Sequence, residues 1–243
     1  MSVLETLLQP PPVAWQVTEL DVGPHWVLVQ ASHADGRQRA GLASVQVDWS
    51  DPVAYPVGQY QIDEDAAQVL LLLRSVDITE SAVGLATFNA LYQPDESALT
   101  TADAADWLAD RCRDRAIAIV GRFPFIENEI RLVASQLYVF ELEPEPGEFG
   151  AHDMAAVIPR ADIVAITSST LVNHTLDDIL AVTDRQTVVL LGPSTPLSPR
   201  LFDCGVDALF GVRVADVRAV QESVQAGVSF RKMQGLQRVS LFR

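Results

Sequence analysis

Cysteine is scarce in this chain. Two residues in 243, Cys112 and Cys204, give no disulfide framework and no C-x-x-C pair. The four histidines, His25, His33, His152 and His174, are scattered without H-x-x-x-H spacing, so no zinc site can be read from the pattern. Positive charge is equally sparse. One lysine, Lys232, occurs, and 17 lysines plus arginines face 32 acidic residues, for a net charge of −15. A basic footprint of the kind that nucleic acids and anionic membranes require is therefore missing, and neither is expected as a partner. Long apolar runs are missing too. The longest, near Val69 to Leu73, is flanked by Asp63, Glu64, Asp65 and Arg74 and reads as a buried helix rather than a membrane span. Met1 to Gln9 carries Glu5 and no basic residue, unlike a secretory signal. The simplest location is the cytoplasm.

What the chain does have is core. Its apolar fraction is 49 %, and its second half alternates short apolar runs with helical patterns. The runs are Ile117–Val120, Leu137–Phe140, Ile163–Ile166, Val188–Leu191 and Ala208–Phe210. Continuous Val/Ile/Leu runs separated by helices read as strands buried on both faces of a parallel sheet. Short right-handed crossovers favour the strand order 2-1-3-4-5. The tail Phe230 to Arg243 reads as a further strand.

The first half reads differently. Val13 to Val22, Trp26 to Ala31 and Ala40 to Val47 have strand composition, with a turn at Ala34-Asp35-Gly36. A helix is expected over Asp63 to Arg74. Another is expected over Ile78 to Tyr92, opened by Asp77 with Glu80 three residues on. Gln93 to Thr101 is polar and aperiodic and reads as a linker. An α+β domain over residues 1–95, followed by a doubly wound α/β domain over 102–243, fits the pattern.

Ligands of such sheets sit outside the carboxyl ends of the strands, at the switch point in strand order. After the first strand stands Gly121-Arg122-Phe123-Pro124-Phe125, with a single glycine, and Glu127 and Glu129 follow. A pyrophosphate would find neither close backbone nor friendly charge there. Nicotinamide and flavin dinucleotides and ATP are therefore disfavoured. Glu141 ends the second strand. It reads either as a ribose-type acidic ligand or as a solvated strand end.

Thr167-Ser168-Ser169-Thr170 and Asn173 end the third strand and open a helix, where hydroxyls and free N–H groups suit an oxygen anion. Ordinary capping by Ser169 or Thr170 is the rival explanation. Gly192-Pro193-Ser194-Thr195-Pro196 ends the fourth strand as a rigid turn presenting two hydroxyls.

At these residues the chain resembles the putative heavy-metal-chelation proteins. The matching stretches are Ser81 to Ala90, Gly121 to Phe125, Phe140 to Pro144, Pro159 to Asp162, Thr167 to Thr175 and Gly192 to Pro196. Where that family's pattern carries histidine, this chain has Arg122. The resemblance implies an enolase N-terminal-like domain joined to a Rossmann-like domain, with a cleft between them lined from both sides. It suggests a metal or metal chelate as ligand without naming a metal-binding residue.

The expectation is a protein that binds a small anionic molecule, a metal chelate among the candidates, in the interdomain cleft. The binding set is Asn89, Gly121, Phe123, Pro124, Thr167, Ser168, Ser169, Thr170, Asn173, Gly192, Pro193, Ser194 and Thr195. The alternative is an enzyme acting on a small carboxylate- or amine-bearing metabolite with Glu141 as acid/base. The oligomeric state, a homo-oligomer included, stays open.

Overall fold

Alternating burial and tight turns build the first sheet. The computed structural model describes residues 2–9, 14–46, 51–123 and 128–243. Strands β1 (Trp15–Val22), β2 (Trp26–His33), β3 (Gln38–Ser44) and β4 (Gly58–Asp65) form an antiparallel sheet in the order β3-β2-β1-β4. Gly36, at φ +90°, turns β2 into β3.

Three helices accompany this sheet: α1 (Val3–Leu7), α2 (Ala66–Leu70) and α3 (Ile78–Leu91). Nearly every residue of α3 is buried, as expected of a helix that is apolar all round. One side of it lies on β2 and β3. A Cβ built on Gly41 of β3 would stand 2.2 Å from both the Ala86 carbonyl oxygen and the Ala90 nitrogen, so only glycine permits this approach.

The expected helix over Asp63 to Arg74 starts late. Residues 63 to 65 finish β4, and the Asp65 carboxylate accepts from the Ala67 N–H to cap α2. The strand hid in the sequence because its burial alternates between half-buried and exposed, leaving a polar face. At α3 the Asp77 carboxylate caps the Thr79 and Glu80 N–H groups as expected. Glu80 does not complete a capping box. It accepts instead from the Ser75 hydroxyl. Val13, Val47, Pro124, Phe125 and Glu127 lie outside the described residues.

The second sheet joins β5 (Ala116–Val120), β6 (Gln136–Phe140), β7 (Ile163–Thr167), β8 (Thr187–Leu191), β9 (Ala208–Val214) and β10 (Leu236–Phe242), in the order β10-β9-β8-β7-β5-β6. The first five strands pair in parallel with order 2-1-3-4-5, and β10 closes the edge antiparallel to β9. The chain is thus a mixed α/β protein with one antiparallel and one mainly parallel sheet, as its composition indicates.

Helix α4 (Ala104–Arg111) covers one face of this sheet through Ala105 and Leu108. The other face shares one continuous apolar core with α3 and the first sheet. Val120, Val164, Ile166 and Leu190 belong to the same cluster as Val83, Leu85, Val17 and Leu20. Short helices α5 (Met154–Val157), α6 (Ser169–Val172) and α7 (Leu176–Leu180) fill the crossovers. Helix α8 (Val217–Gln225) packs back on β2 with Val220 and Val224.

Candidate functional site

Two glycines nest three loops at the carboxyl end of the parallel sheet. Strands β5 and β7 are neighbours, while β6 lies beyond β5, so the chain reverses direction across the sheet between β5 and β7. Gly121 follows β5 at φ +96°, and a Cβ there would stand 2.7 Å from Thr167 Cγ2. Gly192 follows β8 at φ +124°, and a Cβ there would stand 2.9 Å from Ser168 Oγ. Both positions need glycine for conformation and for space. The loops after β5, β7 and β8 are thereby pressed together.

Hydroxyl groups connect these loops to the first sheet. The Ser44 N–H donates to Ser194 Oγ at 2.6 Å, and the two hydroxyl oxygens lie 2.8 Å apart. Ser44 Oγ also lies 3.2 Å from Ser169 Oγ, which accepts from the Thr167 hydroxyl at 3.3 Å. Sequence reasoning missed Ser44. Its only signal is a polar residue interrupting the apolar run from Ala40 to Val45.

Asn89 of α3 reaches the same junction. Its Nδ2 donates to the Leu42 carbonyl at 2.9 Å and to the Ser194 carbonyl at 3.0 Å. Among the described residues its Oδ1 is buried without a partner, and so is the hydroxyl of Thr195, a residue only 2 % exposed. Both residues line one small cavity, together with Gly41, Tyr92 and Gln93. A buried polar atom left unpaired costs about 1–3 kcal/mol, so such atoms are few in native proteins. Two of them face one cavity of about 20 Å³, room for a single small hydrogen-bonding group.

Other candidates fall elsewhere. Thr170 Oγ1 donates to the Thr167 carbonyl, a local bond. Neither Ser169 nor Thr170 caps α6, and α6 spans only four residues, too short to present a strong dipole. Asn173 is exposed, and its Oδ1 accepts from the Thr175 N–H and hydroxyl. The structure therefore gives Asn173 a turn-forming role beside the cluster. His174, at φ +60°, places Nε2 2.8 Å from the Leu73 carbonyl and 3.3 Å from Ser81 Oγ, tying the β7 loop to the first half of the chain. Phe123, Gly192 and Pro193 line a second cavity of about 100 Å³, mostly apolar, under the start of α4.

Glu141 is half-buried at the end of β6, where its N–H donates to the Phe149 carbonyl at 3.0 Å. Nearby Arg122 pairs with Glu148 at 2.7 Å and Glu145 at 3.2 Å. Its pKa lies above the ordinary arginine value through the Glu148 hydrogen bond first, with Glu145 and Glu141 adding to it.

The donor chemistry for a bare soft metal is poor. No group of three His, Cys, Asp or Glu side chains that could hold a metal ion exists among the described residues. Burial pushes the Cys112 thiol up to about 12, which disfavours the thiolate a soft metal needs. Cys204 is half-buried, and its Sγ donates to the Arg200 carbonyl at 3.7 Å. Among the described residues no helix is long and apolar enough to cross a membrane.

Comparison with known proteins places the chain in context. Two family models match it, over residues 14–92 and 103–243, and both are described as "Putative heavy-metal chelation". An uncharacterised protein of Methanocaldococcus jannaschii is 28 % identical over 163 residues, covering 64 % of this chain and 63 % of that protein. The match therefore spans under two thirds of that relative's length. Two crystal structures share the fold. A protein of unknown function from the DUF364 family of Desulfitobacterium hafniense superposes with a TM-score of 0.85 at 21 % identity, covering 99 % of this chain and 98 % of its own. A DUF364 protein of unknown function from Pyrococcus horikoshii superposes at 0.80 with 20 % identity, covering 99 % and 96 %.

Proposed function

Since this chain belongs to the DUF364 family, described as "Putative heavy-metal chelation", we propose that it binds a small anionic molecule, with any metal arriving already held by its own chelator. The site is the junction where the loops after β7 and β8 meet Ser44 and Asn89. The observation that carries this reading is the orphaned pair, Asn89 Oδ1 and Thr195 Oγ1, on one cavity. The hydroxyls of Ser44, Ser169 and Thr195 suit carboxylate oxygens, while Asn89 Oδ1 asks for a donor or a cation. A metal–carboxylate chelate, or a metabolite with both a carboxylate and an amine, offers both. The lack of a three-residue donor set among the described residues supports the chelate over the bare ion. We read residues 1–95 and 102–243 as two domains that share this site.

Native mass spectrometry of the protein as purified tests the proposal. The expected result is a non-covalent adduct of small-metabolite mass that Thr195→Val loses. An adduct of bare metal ions, or one retained equally by Thr195→Val, would contradict it.

A further inference from the structure

We propose a second ligand site, for an oxyanion carrying two or more negative charges, in the groove between the two sheets lined by Arg39 of β3 and Arg213 of β9. It rests on other groups than the orphaned pair, although Arg213 and Gln93 also line the neighbouring small cavity. The groove opens to solvent and offers about 240 Å³, room for a small anion.

Its charge runs against that of the molecule. The chain carries 32 acidic residues, yet none of the described residues lining this groove is acidic. Arg39 is half-buried, and among the described residues no carboxylate lies within ion-pair distance of it. One guanidinium nitrogen of Arg39 donates to the Leu91 carbonyl, and the group stacks 5.0 Å over the Trp15 ring. A guanidinium has five N–H donors, so capacity remains.

Arg213, with a side chain 24 % exposed, pairs among the described residues with Glu96, whose side chain is 82 % exposed. Such a surface pair is worth about 0–1 kcal/mol and exchanges readily for a better partner. The neighbouring Arg37 is already engaged by Asp35 at 2.8 Å.

Two like charges in a half-buried groove repel each other unless an anion lies between them. Burial chiefly, then the charges of Arg37 and Arg213, press the Arg39 pKa below its ordinary value. Gln30, Ser32, Gln38 and Gln93 also line it, the Gln93 amide already donating to the Ala40 carbonyl at 3.2 Å. They are neutral donors suited to oxygen atoms that the guanidinium groups do not reach. Planar guanidinium forks grip carboxylate and phosphate alike, so phosphorylated molecules and dicarboxylates share the recognising chemistry.

Isothermal titration with inorganic pyrophosphate and, separately, with succinate tests this site. Wild-type protein should bind at least one of the two saturably, and which one identifies the phosphate or the carboxylate class. Affinity should fall about tenfold or more in Arg213→Gln and in Arg39→Gln, the scale of losing one charge-assisted hydrogen bond. It should stay within about twofold in Thr195→Val, which removes no groove donor. Arg213→Gln keeps the test open if Arg39→Gln fails to fold, because Arg213 holds only its exposed pair. Absence of saturable binding to the wild type overturns the proposal. So does affinity that survives Arg213→Gln. Loss in Thr195→Val as large as in Arg213→Gln would assign the anion to the loop site and overturn it too.

Discussion

At the residue scale, Asp77 shows how a single side chain can hold an element. Its carboxylate accepts from the N–H groups of Thr79, Glu80 and Ala54 and from the Thr79 hydroxyl. Burial pushes its pKa up, but the Thr79 hydroxyl and the backbone donors together outweigh that and leave it below the ordinary carboxylate value. A carboxyl group with a lowered folded pKa adds stability above its unfolded value, about pH 4, and loses it as pH falls through the folded value. Asp77→Ala should therefore destabilise the protein by about 0.5–2 kcal/mol at pH 7, with the difference from wild type shrinking below pH 4. Urea unfolding at pH 7 and pH 3 measures both; an equal loss at the two values would refute the assignment. Gly41 is the steric counterpart. Gly41→Ala places a methyl group against the α3 backbone, where nothing flexible can yield. A loss of more than about 3 kcal/mol is expected by the same measurement, and a loss under about 1 kcal/mol would show that α3 can shift.

At the element scale, helix α8 is fastened to the first sheet by a buried carboxylate among amides. Asp21 is 0 % exposed and accepts from Gln59 at 2.7 Å, from Gln221 at 3.0 Å and from Gln225 at 3.1 Å. A double-mutant cycle of Asp21→Ala and Gln221→Ala should give a coupling of about 1–2 kcal/mol, because the two groups share one network. Strict additivity would mean that the bonds between Asp21 and Gln221 do not help to hold α8.

The same scale explains what the sequence made legible. Apolar runs such as Ile117–Val120 announced the parallel strands and their order, since both faces had to be buried. Strand β4 stayed hidden because Asp63, Glu64 and Asp65 look like a helix's first turn. The nesting of the β5, β7 and β8 loops followed from topology. The role of Ser44 did not, because only the packing of β3 against the β8 loop brings its hydroxyl to Ser194. Asn173 was placed in the binding set by its position in the hydroxyl-rich loop after the third strand, and that position does not reveal the bonds its Oδ1 accepts from Thr175.

At the scale of the whole molecule, one core runs from β1 through α3 to the parallel sheet, so the junction is held rigid from both sides. Asn89 Oδ1 and Thr195 Oγ1 sit at that junction without a protein partner among the described residues, at a cost to stability. Sites that serve binding commonly give up stability in this way. Thr195→Val conserves shape and removes a hydroxyl that has no partner among the described residues. A purely structural Thr195 would make this change neutral or stabilising, with no other consequence. The account requires a trade. The most direct measurement is calorimetric titration of zinc–citrate, against zinc chloride and citrate alone, into wild type and Thr195→Val whose thermal midpoints are recorded in parallel. The predicted result is that zinc–citrate binds wild type more tightly than either component, and that Thr195→Val melts no lower yet binds it about five- to tenfold more weakly. Zinc chloride binding alone as tightly as the chelate, or zinc–citrate binding that is unchanged in Thr195→Val, would contradict the account.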